Sequence, residues 1–182
     1  MSKAPNLRSN KEHYLAAFFI AFGLATILFL PFVIYDGGLF IYYGDYNVQQ
    51  IPFYMNAHEA VQDGKLLWDW NTDLGANFIG SYSFYLLGSP FFWLTMPFPT
   101  AILPYLMAPL FALKIATASL TAYAFCRRFT KTTNAALIAG LLYAFSGWSA
   151  YNIFFNHFHD VMAFFPLLLI ALEETVVNKR RG

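Results

Sequence analysis

The sequence predicts an all-α polytopic membrane protein, with about four transmembrane helices and a long outer loop carrying juxtamembrane amphipathic helices. Composition is the first reason: 58% of the 182 residues are hydrophobic and only 12% are charged, against roughly 25% charged in soluble domains. Mean hydropathy, at +0.47, is the second. The third is segregation, because charge-free apolar runs alternate with short basic clusters. These features argue against a soluble enzyme and a disordered chain, and a net charge of +1 offers no surface for a polyanion, so no nucleic-acid partner is expected. The single cysteine, Cys126, excludes an intrachain disulfide.

Each span follows from the need for about 20 mostly apolar residues to cross a bilayer. Residues 14–35 form the first run, free of charge and without the small-residue cleavage site that would follow a signal peptide. Residues 101–126 form the second, interrupted by Pro104, Pro109 and Lys114. Residues 135–155 are the third and 161–177 the fourth, the last ending near Glu173 and Glu174. Residues 83–98 are also apolar, but Gly88, Pro90, Pro97 and Pro99 break them up and suit a juxtamembrane or re-entrant segment.

Charge fixes the expected orientation. Lys3, Arg8 and Lys11 precede the first span, Arg127, Arg128 and Lys131 follow the second, and Lys179, Arg180 and Arg181 follow the fourth. With four crossings all nine fall on one side, which the positive-inside rule makes cytoplasmic. Both ends of the chain are then cytoplasmic, in a single membrane domain over residues 1–182. The opposite side holds Asp36, Asp45, Glu59, Asp63, Asp69, Asp73 and Asp160, with Lys65 as its only base. The close after a basic cluster suits a cut through a longer membrane protein.

Residues 36–100 are too long and too aromatic for a plain connector. Gln50 to Gly64 reads as an amphipathic helix on the outer membrane surface, with Ile51, Tyr54, Met55, His58 and Val61 on one face and Gly64 as its stop. Residues 68–75 (Trp-Asp-Trp-Asn-Thr-Asp-Leu-Gly) are turn chemistry between indoles. Trp68 and Trp70 suit either interfacial anchoring or stacking on a sugar. Asp45 lies just beyond the first span, preceded by Gly44, flanked by Tyr43 and Tyr46, and followed by Gln49 and Gln50. The short second outer loop reads Asn156-His157-Phe158-His159-Asp160. Asp45, His157, His159 and Asp160 are therefore candidate metal ligands on one side of the membrane.

An ordered series of motifs runs through nearly the whole chain from about residue 14. It comprises Asp45 with Gln49-Gln50-Ile51-Pro52-Phe53, then Gly64-Lys65-Leu66 and Trp68, Gly75 to Phe78, Tyr85 to Phe91, Leu113-Lys114-Ile115, and His159-Asp160 through Leu168. This series resembles the N-terminal part of YfhO-family bacterial membrane proteins, which are similar to GT-C glycosyltransferases. The resemblance implies a sugar taken from a polyprenyl-phosphate donor and passed to a cell-envelope polymer such as teichoic acid, on the outer face of the bacterial plasma membrane. It implies that Asp45 is the first-loop catalytic aspartate and Asp160 the acidic residue of the second loop. Family members are several times longer, so the chain is expected to be an N-terminal portion.

Such transfer needs a base for the acceptor hydroxyl, positive charge for the leaving phosphate, and an apolar wall for the lipid. Asp45, with an ordinary carboxylate pKa of about 3.9, can take the proton as it is lost. Asp160 with other oxygen ligands suits Mg²⁺ or Mn²⁺, and the histidines would widen the choice toward Zn²⁺. Lys114 lies in the outer half of its span, where it either snorkels to the surface or is buried and paired; the sharper role is a contact to the donor phosphate. Gln49, Gln50, Trp68 and Trp70 are the candidate substrate-binding residues. The alternative is a transporter or lipid-handling membrane protein without catalysis, which would be expected to place its carboxylates near the bilayer midplane.

Overall fold

The computed structural model describes residues 7–179; Lys3, Arg180 and Arg181 of the expected cytoplasmic clusters lie outside them. The chain is mostly helical and forms two compact units. The helical unit takes residues up to 28, 112–151 and 161 onward, and the loop unit takes residues 29–111 and 152–160.

Two helices are long and apolar enough to cross a membrane. The first is α1, Leu7–Tyr35, whose charge-free part has only Pro31 near its end. The second is α5, Leu103–Cys126, entered through a 3₁₀ turn at Thr100–Ile102. Both sit where the first two apolar runs placed them. In the helical unit the packing is carried by small residues. Ala17, Ala21 and Ala25 recur at i, i+4 on α1 and are fully buried, the spacing that lets helix backbones approach closely. Ala17 meets Tyr123 of α5 and Ala136 of α6, Thr133–Ala144, and the Tyr14 ring sits edge-on to Tyr123 at 4.9 Å. Gly140 of α6 faces α5 so closely that a Cβ there would lie 2.7 Å from the Ser119 carbonyl oxygen and 3.1 Å from the Tyr123 nitrogen. The other faces of these helices leave Leu15, Phe19, Ile27, Ile138 and Leu142 exposed.

The third expected span is different. Residues 135–155 do not form one helix: α6 covers 12 residues, about 18 Å at the usual rise, and stops at Phe145, whose ψ of 26° leaves the helical region. A separate short helix, α7, follows at Gly147–Tyr151, then turns through residues 152–157. The apolar run is continuous in composition but broken in backbone. The fourth run is α8, Phe158–Leu172, extended by a π-helical turn at Glu173–Val177. Pro166 inside α8 cannot donate to the Met162 carbonyl four residues earlier. Tyr143 of α6 donates its hydroxyl to that oxygen at 3.1 Å, and Thr121 of α5 donates to the next carbonyl, Ala163, at 2.8 Å. At the end of α8, Arg128 pairs with both Glu173 and Glu174.

The loop unit holds the expected amphipathic helix as α2, Ile51–Gln62, preceded by a π-helical turn at Tyr46–Gln50. Its end is where the sequence put it, at Gly64, which adopts a φ of +72°. The inner face packs on this unit's own chain through Tyr54, Ala57, His58 and Ala60. His58 pins it: one ring nitrogen is 2.9 Å from Thr100 Oγ1 and the other 3.1 Å from the Thr95 carbonyl. The indole-rich turn is an antiparallel hairpin, β1 (Trp68–Asp69) with β2 (Ala76–Asn77), pairing Trp68 with Asn77. It leads into α3, Phe78–Tyr82, capped by Asn77, whose side chain accepts from the Gly80 nitrogen at 2.7 Å. Residues 83–98 form no span: a π turn at Ser83–Leu87, the four-residue α4 at Pro90–Trp93 capped by Ser89, and turns.

Candidate functional site

The loop unit contains both segments that carry the candidate acids. Asp45 is half-buried and occupies the position before the π-helical turn. The turn sets a stripe of buried residues four apart, Tyr46, Gln50 and Tyr54, each no more than 1% exposed. The second segment, residues 156–160, is brought to this stripe: His157 Nδ1 lies 3.4 Å from Gln50 Oε1. Two stretches more than a hundred residues apart thus meet inside one unit.

Burial pushes the Tyr46 and Tyr54 hydroxyls well above the usual phenol range. For Tyr54 the charge of Asp160 and the neighbouring Tyr46 push further the same way, while Asn156 pulls against them. Asp160 is therefore close enough to the Tyr46–Tyr54 stripe for its field to be felt. Tyr46 Oη and Gln50 Nε2 are buried with no protein acceptor in reach, a state that costs free energy and calls for a water or ligand partner. Sequence reasoning placed Tyr54 on the inner face of α2 but missed Tyr46, Tyr54 and Asn156 as site residues. The i, i+4 spacing of 46, 50 and 54 becomes a signal only once the helix is known to start at residue 46 rather than 50.

The four candidate metal ligands do not form a cage. Among the described residues no three His, Cys, Asp or Glu side chains gather to hold an ion. The reason is aromatic packing. The His157 ring is wedged among Phe84 at 4.9 Å, Tyr85 at 4.7 Å and Phe158 at 4.5 Å, and His159, 1% exposed, packs on Phe111 at 4.4 Å. Both imidazoles are buried in the loop unit.

Trp68 and Trp70 form an exposed pair on the hairpin, their rings 5.8 Å apart and 70° to one another. Gly75, at a φ of +107°, permits this closure: a Cβ there would lie 2.8 Å from Trp68 Nε1 and 2.9 Å from Trp70 Cε3. Beneath the pair, Asp69 is buried and accepts from Asn56 at 2.5 Å, Thr72 at 2.6 Å and the Asn71 nitrogen at 3.0 Å. Burial opposes its charge, but those hydrogen bonds and Lys65 outweigh it and hold the carboxyl below its usual range. Gln49 is half-buried beside Gln50. Lys114 belongs to the helical unit, on α5, and is 1% exposed, which rules out the snorkelling form.

Helices with bare apolar faces, joined to a loop unit folded around a polar centre, define a helical membrane protein. The family model described as bacterial membrane protein YfhO matches residues 16–182, and the chain belongs to that family. No curated protein and no solved structure matches it.

Proposed function

We propose that the chain is the N-terminal portion of a membrane glycosyltransferase that moves a sugar from a polyprenyl-phosphate donor to a cell-envelope polymer. The observation that carries this reading is the Gln50–His157 contact, which joins the Asp45 segment to the Asp160 segment. Asp45 acts as the base, taking the acceptor hydroxyl's proton as the new glycosidic bond forms and the bond from sugar to phosphate breaks. The leaving phosphate carries away the bonding electrons and needs positive charge. Asp45 and Asp160 together with the donor's own phosphate oxygens would hold a Mg²⁺ or Mn²⁺ ion, the usual habit of Mg²⁺ with one or two carboxylates. Lys114 is assigned to the donor phosphate, Gln49 and Gln50 to the acceptor, and the Trp68–Trp70 pair to a sugar face.

In the full-length enzyme Asp45→Asn keeps size and removes the base, so transfer should fall by at least about 100-fold. Normal transfer by that variant would reject the mechanism. The site is placed on the outer face, with four crossings and the basic clusters inside. Single cysteines at Asn71 and Asn178, in a Cys126→Ala background, should label oppositely with an impermeant thiol reagent. Equal labelling from outside would overturn this orientation.

A further inference from the structure

Tyr46 and Gln50 stand at the two ends of the π-helical turn of the loop unit, and both are fully buried. Gln50 Oε1 accepts from His157 Nδ1 at 3.4 Å, which turns the two N–H groups of Nε2 away from the histidine. Neither that nitrogen nor Tyr46 Oη reaches a protein partner. Two unmet donors, buried and one turn apart, are costly and seldom tolerated in folded proteins. Three observations set the chemistry of what meets them. Burial keeps the Tyr46 and Tyr54 phenols protonated, so both remain neutral donors. The charge of Asp160 is felt at Tyr54, so an anion is repelled here, and N–H groups cannot ligate a cation. Aromatic rings close over both phenols, with Phe40 at 5.2 Å from Tyr46 and Phe92 at 5.6 Å from Tyr54, and shut out a carbon skeleton. Water fits all three, since it accepts from such donors and asks only for a small site with two to four polar partners. Side chains four residues apart on a helix are separated by about 5–6 Å at Cβ, and two hydrogen bonds of about 2.8 Å through one oxygen cover such a gap.

We infer that Tyr46 and Gln50 bind one ordered water, and that the chain Tyr46–water–Gln50–His157 is the strut between the two acidic segments, with Tyr46 a positioning residue for Asp45. At one end Tyr46 directly follows Asp45. At the other, the His157 carbonyl accepts from the Asp160 nitrogen at 3.2 Å in the first turn of α8. Gln50 then serves the acceptor indirectly, by fixing where Asp45 stands. The positioning role rests on the glycosyl-transfer reading; the water does not.

The test is radiolytic hydroxyl labelling of the protein in nanodiscs, read by mass spectrometry. Radicals made from a bound water attack the side chains that hold it, so buried Tyr46 should be labelled while equally buried Phe78 stays silent. After rapid mixing with heavy-oxygen water, the Tyr46 adduct should take up the isotope later than the adduct on exposed Tyr43. Gln50→Met keeps the length of the side chain and removes the amide, so Tyr46 labelling should fall about fivefold, the factor that one hydrogen bond of ordinary net strength supplies. Tyr46→Phe changes a single atom and should lower the thermal midpoint of the parent but not that of Gln50→Met. Removing a hydroxyl that has no partner would instead be neutral or stabilising. A Tyr46 as silent as Phe78, isotope uptake as fast as at Tyr43, or a Tyr46→Phe protein melting at or above the parent would each overturn the water. In the full-length enzyme Tyr46→Phe should lower kcat about fivefold and leave KM unchanged, the pattern of a residue that does not touch the substrate. Unchanged kcat in an active enzyme would overturn the positioning role. A labelled water in a full-length protein that transfers no sugar would reject the glycosyl-transfer reading and, with it, the positioning role, while leaving the water in place.

Discussion

The helical unit and the loop unit both bury polar groups among apolar neighbours, and they deal with them in opposite ways. In the helical unit the exposed liability is a backbone carbonyl, freed where Pro166 interrupts α8, and it is met by single hydroxyls reaching across from Tyr143 and Thr121. In the loop unit the liability is a full charge, the Asp69 carboxylate, and it is met by several donors at once, from Asn56, Thr72 and the Asn71 backbone. A neutral carbonyl needs one donor, while a buried charge needs most of its lone pairs filled. Each unit is brittle in its own way. Close helix packing has no slack for added volume, and the loop network has none for a lost acceptor.

Added volume should produce the largest effect. Gly140→Val places branched carbon against the Ser119 carbonyl and the Tyr123 nitrogen, both backbone atoms that cannot rotate away. The cost is expected to be about 3 kcal/mol, at the upper end for overpacking and beyond the ~1 kcal/mol that replacing a helical glycine can return. A thermal melt in detergent should show the loss. If Gly140→Val melts like the parent, the α5–α6 contact is looser than described and the contrast between the units fails at its stronger end.

Loss of an acceptor comes next. Asp69→Ala takes the acceptor from the Asn71 nitrogen and one from the Asn56 amide, which keeps Tyr82 Oη at 2.9 Å, while Thr72 and Tyr82 keep their mutual hydrogen bond of 2.7 Å, so the expected cost is about 2 kcal/mol. Hydrogen exchange should quicken in residues 66–82 and leave α5 and α6 unchanged. The sign with pH follows from the lowered pKa of Asp69. Its contribution is present above the unfolded value of about 3.9 and is lost as pH falls through the lower folded value. The Trp68–Trp70 fluorescence should therefore hold at pH 5 and change only below about pH 4, with that change absent in Asp69→Asn. A transition near pH 5 would mean that the hydrogen bonds do not favour the ionised form.

The sequence revealed these two kinds of structure unequally. Apolar composition located α1 and α5, because a span has to be mostly apolar along its whole length. The same measure is blind to the break at Phe145 and Ser146: hydropathy counts side chains, and the break lies in backbone angles. Local chemistry located α2 and its Gly64 stop, and the turn between Trp68 and Gly75. It could not show that Asn56 and Tyr82 close over Asp69, since those partners lie 13 residues apart on both sides and follow no helical or strand period. In the candidate site, Asp45 and Asp160 were legible as polar residues at the expected ends of apolar runs. For the histidines the sequence is silent on surroundings: a metal-binding imidazole and one packed on Phe84 or Phe111 look alike until the ring neighbours are known.

The smallest effect tests the single-donor solution. Tyr143→Phe removes the hydroxyl that serves the Met162 carbonyl, and side-chain hydrogen bonds inside membrane helices average about 0.6 kcal/mol with a maximum near 1.7. A loss near 1 kcal/mol is expected, since an acceptor freed by proline has no helical donor to fall back on. The diagnostic variant is Pro166→Ala, which restores an N–H four residues after Met162. In that background α8 can satisfy its own carbonyl, and Tyr143→Phe should cost only a few tenths of a kcal/mol, close to the limit of additivity for independent sites. Urea or SDS titrations of the four proteins give the coupling directly. A coupling near zero would mean that Tyr143 acts by packing alone and that the Met162 carbonyl is satisfied by something other than its hydroxyl. A coupling of the expected sign would tie Pro166, the freed Met162 carbonyl and the α6 hydroxyl into one local device.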